Sequence, residues 1–144
     1  MFPLVRDGKM NTVPKAGLTF AHVHEVVAAH VAAADKAANG SQYLLGGENR
    51  SMLELVQLIE KCLGKPAKAK TVPGPLITVV AAVSDFISNF TNKEPALTPE
   101  MAKGFSGGVT ISADKAQREL GFKIVSLEQM VKDCYDWMRA EGRI

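Results

Sequence analysis

The chain has 144 residues, 47% of them hydrophobic and 22% charged, a balance that suits one globular domain with a sizeable core and excludes a disordered chain. Its 17 basic and 15 acidic groups leave a net charge of +2, so nothing in the charge calls for nucleic acid or an anionic membrane as partner. Two cysteines, Cys62 and Cys134, lack the short spacing of a disulfide or zinc framework and read as reduced thiols of a cytoplasmic protein.

No basic and apolar leader opens the chain. The longest apolar run, residues 79–83 with Leu76 and Ile77 before it, is far short of the ~20 residues of a membrane span. Residues 1–17 carry Pro3, Gly8, Pro14 and Gly17 and read as a loop with room for one short extended piece. Residues 19–23 alternate and include Phe20 and Val23, which predicts a strand. Residues 24–38 are Ala-rich and predict a helix, stopped by Asn39 and Gly40. Residues 42–45 predict a short buried strand that breaks on Gly46 and Gly47. Ser51 with Glu54 has the spacing of a capping box, and the helix that follows ends at Gly64. Residues 68–72 predict a weak strand.

Pro73-Gly74-Pro75 is a firm break. Leu76, Val79, Val80, Val83, Ile87 and Phe90 recur at three- and four-residue steps and mark an amphipathic helix. It is expected to pack on its own lobe, or to pair with a second copy if its apolar face is bare. Thr98-Pro99-Glu100 has the order of an N-cap, a first-turn proline and a first-turn acid. Residues 109–111 predict a strand, and Ser112 opens a helix that stops at Gly121. Ser126 with Gln129 is a second capping-box spacing. Leu127, Met130, Val131, Cys134, Trp137 and Met138 line the last helix, with Trp137 and Met138 expected to clamp it to the core. The fold class is therefore α/β, a helix-rich α+β lobe. Its strands are too few and short for an independent doubly wound sheet, so some are expected to complete a larger one.

Five segments in order carry a family resemblance. They are Phe20-Ala21-His22-Val23-His24-Glu25-Val26 with His30, then Tyr43-Leu44-Leu45-Gly46-Gly47-Glu48-Asn49, then Pro95-Ala96-Leu97-Thr98. Next comes Ser112 with Lys115-Ala116 and Glu119-Leu120-Gly121-Phe122, and finally Ser126-Leu127-Glu128 leading to Trp137. This order resembles the C-terminal part of an extended short-chain dehydrogenase/reductase, in the dihydroflavonol-reductase-like branch of the NAD-dependent epimerase/dehydratase family. The resemblance implies one domain over residues 1–144, the substrate-binding portion of a Rossmann-type reductase without its N-terminal dinucleotide-binding half. The chain would begin after the family's catalytic centre.

By the same resemblance, the complete enzyme would move a hydride between NAD or NADP and a carbonyl or alcohol substrate. This chain alone would hold no cofactor and no catalytic residue. The family's glycine-rich turn is absent, and Tyr43 and Tyr135 are followed four residues on by Gly47 and Arg139 rather than by the lysine that would lower a tyrosine pKa. Gly104-Phe105-Ser106-Gly107-Gly108 follows a predicted helix instead of opening one, which fails the context of a nucleotide turn. Sugar-nucleotide epimerases usually place an arginine where this chain has Leu18, and an alkyl group cannot neutralise a phosphate. Uncharged carbonyl substrates are therefore favoured.

The segment at 10–17 borders the pocket in the family, so Met10, Thr12, Val13 and Phe20 are expected to line the substrate. His22, Glu25, Tyr43, Gly46 and Gly47 are expected to be structural. On a strand, His22 and His24 would share a face and could meet one metal ion; the alternative is a core His22 with His24 in solvent, and no metal is expected. Glu25 reads either as a general base or as the acid that ties the strand end to a neighbouring backbone. Lys61, Lys65, Lys68 and Lys70 read as solvated surface, since no aromatic side chains interleave them for stacking bases. The expected partners are a small-molecule substrate and an N-terminal Rossmann domain, in cis or in trans as half of a split enzyme. A non-enzymatic ligand-binding or dimerising module derived from such an enzyme is the alternative.

Overall fold

The computed structural model describes residues 1–72 and 110–144. In chain order its elements are α1 (Phe2–Arg6), β1 (Thr12–Pro14), β2 (Gly17–Phe20), α2 (Val23–Lys36), β3 (Glu48–Ser51), α3 (Met52–Cys62), β4 (Lys70–Val72), α4 (Asp114–Leu120) and α5 (Leu127–Ala140). The mixture is the helix-rich α/β lobe expected. The break at Pro73, the helix over 76–90, the cap at Thr98, the 95–98 segment and the glycines at 104, 107 and 108 lie outside the described residues. The described residues gather into two compact units, 1–17 with 51–72 and 18–50 with 110–144.

In the first unit, α1 stands where a loop was expected. Pro3 sits in the first helical turn, where a missing N–H costs no hydrogen bond and the fixed φ suits the helix. Phe2 and Val5 bury its inner face, and α1 packs on α3. The capping box of α3 is complete: the Ser51 hydroxyl accepts from the Glu54 amide, and the Glu54 carboxylate accepts from the Ser51 amide at 2.8 Å. Val56 and Ile59 are fully buried beneath it. β1 and β4 pair in parallel, with Thr12 opposite Lys70 and Pro14 opposite Val72. The Glu60 carboxylate, only 4% exposed, accepts from the amides of Lys68 and Ala69 at 3.1 and 3.2 Å. A buried acid thereby satisfies two donors in the turn that delivers β4.

In the second unit, β2 pairs with β3, and the Thr19 hydroxyl donates to Asn49 Oδ1 at 2.5 Å. The core holds Ala29, Ala113, Ala116, Leu120 and Phe122, with Val26, Ala32, Ala33, Tyr43 and Leu45 packed around it. Alanines on both helices let α2 and α4 lie close. α4 ends at Gly121, whose φ of 72° is the left-handed conformation expected of a stop glycine.

Several boundaries differ from expectation, each for a tertiary or capping reason. The strand over 19–23 ends at Phe20 because His22 is the N-cap of α2, its Nδ1 accepting from the His24 amide at 3.3 Å. α2 closes at Lys36 on an extended Ala37, while Gly40 serves the next turn, where the Ser41 amide donates to Ala38. Residues 42–45 form no ladder, and the strand lies after the two glycines, at Glu48–Ser51. Residues 110–111 form none either, and residue 109 is outside the described set. Ser126 caps α5, but the Gln129 side chain turns to Asp133 at 2.7 Å instead of completing the box. α5 is anchored by Leu127 and Val131, whereas Trp137, expected to be a core clamp, is 52% exposed. No described helix is long and apolar enough to cross a membrane.

Candidate functional site

The start of α2 and one face of α5 frame a cavity of about 450 Å³ in the second unit. Its walls include His22, Val23 and His24 on one side and Met130, Asp133 and Trp137 on the other. The α5 residues recur at three- and four-residue steps and so share a helix face. His22 Nε2 lies 3.2 Å from Asp133 Oδ2, and Asp133 Oδ1 is held by Gln129. With Nδ1 accepting a backbone N–H, the neutral ring carries its proton on Nε2 and donates it to Asp133. Both ring nitrogens are therefore engaged, and His22 acts as a tie between α2 and α5 rather than as a free base.

His22 and His24 do not share a strand face, because both stand at the helix start, with rings 5.1 Å apart. Among the described residues, no three His, Cys, Asp or Glu side chains converge on a metal position. Glu25, in the first turn of α2, accepts from the Lys123 amide at 3.3 Å. Tyr43 donates to Glu119 Oε2 at 2.7 Å, and Lys115 lies over the Tyr43 ring at 4.5 Å while donating to the Gln42 carbonyl. The Glu119 carboxylate holds the Tyr43 phenol proton, and with some desolvation raises its pKa above the ordinary 10.0, against a smaller opposing bond from Ser41. Gly46 and Gly47 are buried. A Cβ on Gly47 would fall 1.8 Å from the Phe20 carbonyl oxygen, and one on Gly46 would fall 2.7 Å from Ile111 Cγ2.

Met10, Thr12 and Val13 lie at and before β1 in the first unit, and Phe20 ends β2 in the second. Val13 is 1% exposed, a core side chain of its own unit; Thr12 is exposed and Met10 and Phe20 half-buried. None of the four lines the cavity described above, nor the 310 Å³ cavity beside Glu60 and Lys68. The role of Asp133 was not read from the sequence, since its partner His22 is remote in the chain. Glu48, which accepts from the Leu127 amide at 2.6 Å at the start of α5, was equally hidden. The only local signal was an acid whose partner lies in another element.

No protein-family model matches the chain. Sterol demethylase protein B of Methylococcus capsulatus is 25% identical over 95% of this chain and 42% of its own length. A Synechocystis protein named as a candidate dihydroflavonol 4-reductase is 26% identical over 94% of this chain and 41% of its own. The crystal structure of gox2253 superposes with a TM-score of 0.79 at 28% identity, over all of this chain and 44% of that one. The UDP-glucuronic acid 4-epimerase of Bacillus cereus, solved in complex with NAD, shares the fold at a TM-score of 0.58 and 19% identity, over 97% of this chain and 39% of that one. The chain thus spans less than half the length of the proteins it matches. Its relatives and fold neighbours are NAD-dependent epimerase/dehydratase and dihydroflavonol-reductase-like proteins, and likeness over less than half of their length is consistent with a C-terminal fragment of such a protein.

Proposed function

We propose that residues 1–144 form the substrate-binding portion of an NAD(P)-dependent oxidoreductase or epimerase that acts on a carbonyl or alcohol. The observation that carries the reading is likeness along 94–100% of this chain to reductase- and epimerase-like proteins more than twice as long. The nicotinamide would supply the hydride in the complete, cytoplasmic enzyme. The described residues do not fit that group. The β2–α2 and β3–α3 junctions run through Ala21-His22 and Ser51 with no glycine, and the Glu54 carboxylate already occupies the N-terminus of α3, where a pyrophosphate would need bare amides.

This portion would cover the substrate and keep water from it, with the half-buried Phe20 of the second unit as a lining residue. Leu18, half-buried in β2, offers a phosphate nothing, which favours uncharged carbonyl substrates. The test is the purified chain incubated with NADPH and a panel of aldehydes and ketones. Nicotinamide absorbance is expected to stay constant while calorimetry finds a carbonyl ligand whose binding weakens about tenfold in Phe20→Ala, the loss of one apolar contact. NADPH oxidation by this chain alone would overturn the reading.

A further inference from the structure

The whole-chain charge of +2 is divided unevenly. Over the described residues of the first unit, seven lysines and arginines stand against three acids, whereas the described second unit carries eight basic and nine acidic groups. The three acids of the first unit are already engaged. Asp7 pairs with Arg6 at 3.0 Å, Glu54 closes the capping box of α3, and Glu60 is buried on the amides of Lys68 and Ala69. Lys9, Lys15, Lys61, Lys65, Lys68 and Lys70 are all exposed, and among the described residues none of them is in an ion pair.

Four of these lysines gather around the turn over residues 8–11 that follows α1. The Lys9 amide donates to the Leu4 carbonyl at 2.8 Å, and the Lys65 ammonium donates to the Arg6 carbonyl. Lys65 and Lys68 line one cavity of about 310 Å³ with Gly8 and Asn11. The Lys70 amide donates to the Asn11 carbonyl at 2.9 Å. Lys68 and Lys70 flank the buried Ala69 and so turn their side chains to the same outer face. The Glu60 carboxylate is part of the cavity wall, which disfavours a lone anion inside and favours an anionic surface laid across the rim. The patch also has an apolar edge. α1 turns Phe2 and Val5 inward and leaves Met1 and Leu4, three residues apart, each 45% exposed. Lysine stems can lie along such apolar groups while their ammonium heads stay among polar ones.

We propose that this face of the first unit docks on an anionic lipid surface, with Lys9, Lys65, Lys68 and Lys70 among the headgroups and Leu4 at the acyl boundary. The proposal goes beyond the functional reading above and does not depend on it. A lipid surface is favoured over nucleic acid because Phe2, the sole aromatic among the described residues of this unit, is buried and leaves nothing to stack on bases. It is also favoured because a phosphate backbone has no apolar layer to receive Met1 and Leu4.

Vesicle sedimentation with the full chain tests the proposal. Binding to phosphatidylcholine vesicles containing about 30% phosphatidylserine should be at least about tenfold tighter than to phosphatidylcholine alone. It should fall as salt rises from about 0.1 to about 0.5 M. Lys68→Gln with Lys70→Gln should weaken it at least about tenfold, since each basic group at an anionic surface contributes roughly fivefold. Leu4→Ser should weaken it about threefold or more. Lys36→Gln with Lys123→Gln, at two exposed lysines of the second unit, makes the same change in net charge and should leave binding within about twofold. All these side chains reach solvent, so melting temperatures should stay within about 2 °C of the parent, and the comparison of the two vesicles by the parent chain stands whatever the variants do. Equal binding to both vesicles overturns the proposal. So does an equal loss in the two lysine pairs, because net charge rather than this face would then be responsible. Full binding by Leu4→Ser, or equally tight binding to duplex DNA or polyglutamate, also overturns it and makes the patch a general polyanion surface.

Discussion

A Cβ placed on Gly47 would meet backbone atoms of Phe20 and Ala21 that no rotamer change can move, whereas one placed on Gly46 would first meet the Ile111 side chain. Gly47→Ala must push adjoining backbone segments apart and should cost about 2–3 kcal/mol; Gly46→Ala should cost less. Thermal melts check the order, and a Gly47→Ala variant no less stable than Gly46→Ala would show that the segments separate freely. Tyr43 offers a titration at the same scale. Its phenol is held by Glu119, so the fold favours the protonated form and raises the pKa. The sign follows from linkage: this contribution is whole below pH 10.0, the unfolded value, and is lost as pH rises from there through the raised folded value. In a Tyr135→Phe background, phenolate absorbance should appear above the ordinary tyrosine range, and Glu119→Ala should bring the midpoint down. An unmoved midpoint would mean that the Tyr43–Glu119 bond is not formed in solution.

At the scale of elements, two serines with the same spacing to a partner behave differently. Ser51 and Glu54 satisfy each other's amides, while Ser126 caps Gln129 and the Gln129 side chain goes to Asp133. Ser51→Ala should therefore cost about 1 kcal/mol, and adding Glu54→Ala should cost less than the sum of the two single changes, since they share one box. Full additivity in urea melts would show that the two hydrogen bonds act independently. The caps were legible because donor and acceptor lie within one turn. The strand over 42–45 was legible as a pattern but has no ladder here, because a ladder needs a neighbour that no local pattern specifies. α1 was missed for the opposite reason: Pro3 was counted as a breaker when its first-turn position makes it a starter.

At the scale of the molecule, the two units each build a core from segments distant in sequence: residues 1–17 return to 51–72, and 18–50 return to 110–144. The parallel register of Thr12 with Lys70 and the tie of His22 to Asp133 exist only through that return. The sequence by itself determined the family likeness, the helices α2, α3, α4 and α5, the serine caps at Ser51 and Ser126 and the stop at Gly121, because helical period and capping are written in residues three and four apart. The tertiary structure alone decided which apolar residues are buried, turning Val13 inward and leaving Val27, Leu44 and Trp137 outside. The physical reason is that burial belongs to a pair of surfaces, and a side chain's hydrophobicity records only the readiness of one of them.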